Sequence, residues 1–94
     1  EPETERGGSF IVATPGRVFR IQEDYSVLEP ELGFCSVGCG EEAAMGSLLT
    51  TMRMDMKPED KIIMALEAAE QCYCGVQRPF RILCTDGRDE IIVR

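Results

Sequence analysis

Apolar positions alternate with polar ones near the start of the chain, recur at helical spacing through its middle, and return to short runs at its end. Residues 9–13 and 18–22 are two β-rich runs separated by Thr14-Pro15-Gly16-Arg17. Proline at the second position of a turn pre-sets φ, and glycine at the third accepts the positive φ of a type II turn. Two such runs across such a turn predict a β-hairpin. Strand alternation puts Phe10 and Val12 on one face, and sets Val18 and Arg20 opposite to Phe19 and Ile21. Residues 23–33 are acidic and contain Pro30 and Gly33, which predicts a loop with a short strand at 25–28. Residues 33–38 read as a small-residue strand, ended sharply by Gly38-Cys39-Gly40.

Helical periodicity takes over at Glu41. Ala44, Leu48 and Met52 recur every four residues, with Met45 and Leu49 beside them. Glu41 and Glu42 fall in the first turn, where the helix dipole favours negative charge. Gly46 costs about 1 kcal/mol relative to Ala inside a helix, and so suggests close packing against another element. A polar turn over 53–57 precedes a second helix opened by Pro58-Glu59-Asp60, with Pro at its first position. Its expected stripe is Ile62, Leu66, Ala69 and Tyr73, and Gly75 is its expected stop. Residues 80–84 and 91–93 then pair around Asp86-Gly87 as a second hairpin.

This order of elements predicts an α+β fold in which an antiparallel sheet carries two helices on one face. Residues 1–8 form a flexible entry segment and residues 9–94 a single domain. One sheet face is left bare, and a bare apolar face seeks a second sheet or a second chain. A chain of 94 residues is at the lower end of domain size. It buries only roughly 60–65% of the surface its unfolded form exposes, so a covering partner would add stability.

Composition narrows the function classes. The net charge of −7, from 10 basic and 17 acidic residues, repels phosphate backbones and argues against nucleic-acid binding. The pairs Arg17/Arg20 and Arg78/Arg81 are too small to reverse that. No apolar run reaches the roughly 18–20 residues of a membrane span, and the polar start does not resemble a signal peptide. Five cysteines without a secretory signal predict reduced thiols and a cytoplasmic setting. The chain contains no histidine, which removes Ser-His-Asp and Cys-His catalysis and every His-dependent metal site from these residues.

Taken together, Ser9-Phe10-Ile11-Val12-Ala13-Thr14-Pro15-Gly16-Arg17-Val18-Phe19, the Gly38-Cys39-Gly40 turn and the two helices carry a resemblance. Glu42-Ala43-Ala44-Met45-Gly46-Ser47-Leu48 and Pro58-Glu59-Asp60-Lys61-Ile62, running on to Ala65-Leu66-Glu67-Ala68-Ala69, complete it. In order and spacing these segments resemble the second half of proteasome β-type subunits and the HslV-like peptidases, including shorter phage or prophage relatives. The likeness covers roughly residues 9–84. It implies half of an N-terminal-nucleophile hydrolase αββα sandwich. It also implies amide hydrolysis by an N-terminal Thr, Ser or Cys whose own α-amino group is the base.

Residue 1 is Glu, and Thr50 and Thr51 are internal to a helix. The resemblance therefore implies a chain inactive by itself, with the nucleophile in a missing N-terminal half and peptide as substrate only when complete. In such a family the serine of a Gly-Ser-Gly turn helps hold the proton-transfer network. Cys39 occupies the matching position and is the accessory catalytic candidate, although a thiol is the poorer hydrogen-bond partner. A monovalent cation held by backbone carbonyls near residues 73–77 is also implied by the family alone, and no other cofactor is expected.

The partners expected are a homo-oligomer or the missing half. The alternative function is a non-catalytic binding or assembly module that oligomerises through its sheet or helix face. Cys39 at a helix head is a candidate reactive thiol, set against a small residue filling a tight turn. Cys35, Cys39, Cys72 and Cys74 depart from the C-x2-C zinc spacing and read as unliganded cysteines, which are commonly buried and inert. The methionines at 45, 52, 54, 56 and 64 read either as an adaptable contact surface or as caps on the core.

Overall fold

A computed structural model describes residues 8–94. The expected entry segment thus lies outside the described residues except for Gly8. The described residues are α+β, with two small antiparallel sheets and two helices rather than one continuous sheet. Two compact units form, with their boundary between Gly38 and Cys39.

The first unit is built on strands β1 (Phe10–Thr14), β2 (Arg17–Ile21) and β3 (Val27–Leu28), in the order β1-β2-β3. Thr14 pairs with Arg17, so Pro15-Gly16 is the whole loop of the first hairpin, and Gly16 has φ +80° as the expected turn demands. The register places Phe10, Val12, Phe19, Ile21 and Val27 on one face, and Ile11, Val18, Arg20 and Leu28 on the other. The turn into β3 is closed by Tyr25 N–H to Gln22 O at 2.8 Å and Gln22 N–H to Ser26 O at 2.9 Å. Tyr25 takes the left-handed conformation there, at φ 68°. The strand expected over 33–38 does not form. β3 is only two residues long and offers too short an edge to pair with. Arg20 Nη1 instead donates to the Ser36 carbonyl at 3.3 Å, fastening that segment to β2.

Two carboxylates of this unit respond to acid. Arg17 donates to Glu29 through Nε at 2.9 Å and Nη2 at 2.7 Å. Those hydrogen bonds, with the guanidinium charge, hold the Glu29 carboxyl below its usual range. The Ser26 hydroxyl and amide do the same for Asp24. A lowered folded value means the stabilisation is complete above the unfolded value, about 4.3 for Glu and 3.9 for Asp. It is lost as pH falls through the lower folded value. NMR titration of the two carboxyls is expected to give midpoints below those of the same residues in a short unfolded peptide. Coincident midpoints would show that neither interaction exists in solution.

The second unit contains helices α1 (Glu41–Thr51) and α2 (Pro58–Cys72) and strands β4 (Phe80–Ile82) and β5 (Ile91–Val93). α1 packs on α2, and α2 on β4. α1 starts at Glu41 as expected, with Gly40 as its N-cap, and α2 starts at Pro58. α2 ends before Gly75, because Tyr73 swings to extended geometry (φ −137°, ψ 126°) while its N–H still reaches Ala69 O at 2.9 Å. The buried side of α2 is Ala65 and Ala69, whereas Ile62 is 43% exposed. At Ala69 the N-cap Gly40 of α1 comes so near that a Cβ on it would lie 2.8 Å from the Ala69 Cβ. With Ala44, Phe80 and Ile82, the two alanines of α2 make up the buried apolar core of the described residues. Met54 and Met64 are exposed.

β4 and β5 pair antiparallel, from Phe80 with Val93 to Ile82 with Ile91. Asp86-Gly87 turns within the long connection, with Gly87 N–H to Cys84 O at 3.3 Å, rather than forming a two-residue hairpin loop. Gly46 has open space where a Cβ would stand, contrary to the close packing expected of it. Gly46→Ala is therefore expected to stabilise by about 0.5–1 kcal/mol through helix propensity alone. A urea midpoint that falls instead would place an unseen neighbour against that position.

Candidate functional site

The Gly38-Cys39-Gly40 turn stands at the head of α1. Its two glycines have φ +95° and +77°, a region that L side chains rarely enter. Gly40 is buried, and a Cβ there would lie 2.8 Å from Ala69 Cβ and 3.2 Å from Val76 Cγ2. Cys39 faces the segment that follows α2, where a Cβ on Gly75 would stand 3.4 Å from its Sγ. Glycines on both sides of this contact thus seat the turn on the C-terminal end of α2. Cys39 as a residue is exposed.

The threonines of α1 are committed to the helix. Thr50 Oγ1 donates to Gly46 O at 2.9 Å, and Thr51 Oγ1, in a residue only 1% exposed, donates to Ser47 O at 3.1 Å. Neither has a free α-amine, so neither can act as an N-terminal nucleophile. The residues suggested for a monovalent cation form a tight turn: Val76 N–H reaches Tyr73 O at 3.2 Å and Gln77 Nε2 reaches Cys74 O at 3.5 Å.

All five cysteines are free. Among the described residues no three Cys, Asp or Glu side chains converge as metal ligands. Burial pushes the Cys35 thiol up from its ordinary value, against an opposing pull from Arg20. Arg78 organises the segment between α2 and β4: it pairs with Glu67 at 2.9 Å and Glu70 at 3.2 Å, and its guanidinium lies 4.9 Å above the Phe80 ring.

One feature of the second unit escapes a linear reading. Arg88, in the connection between β4 and β5, donates from Nη2 to Cys84 Sγ at 3.1 Å. It also pairs with Asp86 at 2.8 Å and with Glu59, in the first turn of α2, at 3.6 Å. These side chains border a cleft of about 270 Å³ whose walls include Pro58, Ile62, Ile82 and Leu83. The sequence shows the Asp-Gly turn and the proline-led helix start, but nothing in it shows that they meet.

Fold and site together define a small α+β protein with a hairpin sheet, a helix pair and a glycine-flanked thiol at a helix head. No family model, curated protein or solved structure matches this chain. Among the described residues no helix is long and apolar enough to cross a membrane.

Proposed function

We propose that this chain is the second half of a proteasome-like, N-terminal-nucleophile peptidase subunit, inactive without the segment that carries the nucleophile. The supporting observation is the turn at Cys39. A Gly-x-Gly corner, seated on the C-terminal end of α2 through Gly40 and Gly75, presents an exposed cysteine at the head of α1. That is what an accessory group beside a nucleophile supplied by another segment requires. The hairpin, turn, helix, helix and strand order agrees with this reading, and the antiparallel sheets would be halves of a larger αββα sandwich. The chain's role is then architectural, with peptide as the substrate of the assembled subunit and a homo-oligomer as its working form.

A second reading, a non-catalytic assembly module, is favoured by the sheet of the first unit. Phe10 is 54% exposed on one of its faces and Leu28 50% exposed on the other.

The parent gene and a peptidase assay separate the two. The first reading expects an upstream segment with a processing point before Thr, Ser or Cys. It also expects peptide turnover by that longer chain and covalent labelling of its first mature residue by a peptide electrophile. The 94-residue chain alone is expected to show no turnover. Turnover by this chain alone, or an initiator Met just before Glu1, would sink the peptidase reading; the latter leaves the assembly module standing.

A further inference from the structure

We infer that Cys84 is a covalent modification site for small, uncharged α,β-unsaturated carbonyl compounds, which bind in the cleft beside it before they react. The inference is independent of the function proposed above, because it uses none of the residues of the Cys39 turn. Two separate observations carry it.

The first is the cleft. It holds about 270 Å³, just below the size range of drug-like sites, and suits a short-chain ligand. Of the five cysteines Cys84 alone borders it. Pro58, Ile62, Ile82 and Leu83 offer an apolar wall on which an alkyl chain can lie. The second is charge. Among the described residues the only cation bordering the cleft is Arg88, and it donates to the Cys84 sulfur at 3.1 Å. That hydrogen bond holds the sulfur at the edge of the cleft, where a ligand lying on the apolar wall would meet it. Glu59 and Asp86 occupy the rest of that guanidinium. The polar edge of the cleft is therefore acidic, and it turns away anionic electrophiles while tolerating neutral ones.

The step balances without an oxidant or a leaving group. The sulfur lone pair forms an S–C bond to the β-carbon, and the C=C π bond breaks. Its electron pair moves toward the carbonyl, and the α-carbon takes up a proton in place of the one the thiol gave up. Cys35 does not border the cleft, and burial pushes its thiol up from its ordinary value. Cys39, Cys72 and Cys74 are exposed and serve as internal controls in the same molecule.

The test is competitive alkylation of the folded chain with N-ethylmaleimide, N-hexylmaleimide and a carboxylate-bearing maleimide, each site quantified by peptide mass spectrometry. Four added methylenes that are partly buried should raise the Cys84 rate about tenfold from ethyl to hexyl. The same ratio at Cys39, Cys72 and Cys74 should stay near one, and the anionic probe should be slowest, relative to those controls, at Cys84. Ile62→Ser, at a wall position already 43% exposed, should collapse the ratio at Cys84 while the circular dichroism spectrum is kept. Arg88→Ala should slow Cys84 with both alkyl probes and leave the ratio intact. An equal hexyl-to-ethyl ratio at all four cysteines would overturn the binding site. An Arg88→Ala variant with undiminished Cys84 reactivity would overturn the guanidinium's part.

Discussion

Phe80→Ala is expected to unfold residues 39–94 at ambient temperature. Phe80 is 4% exposed, and the other buried apolar residues of this unit are Ile82 and three alanines. The large apolar side chains that are fully buried thus occupy two positions of one short strand. Removing a buried phenylalanine costs about 3–5 kcal/mol. A unit of this size has a total stability of only about 3–8 kcal/mol, so the loss approaches the whole. The variant also removes the ring beneath the Arg78 guanidinium, a contact at 4.9 Å. Phe80→Leu keeps most of the apolar volume and should cost about 1.5 kcal/mol or less. Urea denaturation followed by far-UV circular dichroism distinguishes these outcomes. A midpoint for Phe80→Ala within error of the parent would show that β4 does not supply the core of the helix pair.

The second large effect is expected at Gly40. Gly40→Ala meets two separate penalties. A non-glycine residue at φ +77° costs about 1–2 kcal/mol. The new Cβ also stands 2.8 Å from Ala69 Cβ, and overpacking of that kind costs about 1–3 kcal/mol. The sum, about 2–5 kcal/mol, should either unfold the helix pair or swing α1 away from α2.

Gly16→Ala isolates the first penalty. Its φ is +80° with nothing within 4 Å of the added Cβ, so it should cost about 1–2 kcal/mol. Ala69→Gly in the Gly40→Ala background isolates the second. Opening that space should return part of the loss, whereas Ala69→Gly alone should cost about 1 kcal/mol. Equal effects at Gly16 and Gly40 would mean that α1 does not touch α2 at this corner.

Much of the local structure was legible in the linear pattern. Pro15-Gly16 between two β-rich runs specifies a hairpin because only such residues fit the turn's dihedral angles. Pro58-Glu59-Asp60 specifies a helix start, and Cys39 between two glycines a sharp corner, for equally local reasons. The readings that failed concern what an element meets. Gly46 in a helix looked like a close contact and faces open space, while Gly40, which looked like turn punctuation, lies against Ala69. The periodicity of α2 favoured a stripe with Ile62, yet the buried side is centred on Ala65 and Ala69. Residues 33–38 have strand-like composition but no strand edge of useful length to join.

What the sequence alone determined here is therefore what dihedral preference and period can encode: hairpin, corner and two helices, together with a net negative charge. Only the tertiary structure decided that the strands fall into two sheets, that alanines rather than isoleucines line the helix contact, and that Arg88 reaches Cys84 and Glu59. The physical reason is range. A turn or cap is settled by the residues that form it, whereas a buried stripe, a sheet partner or a cleft depends on how closely distant segments approach. That distance is written in no single window of the chain.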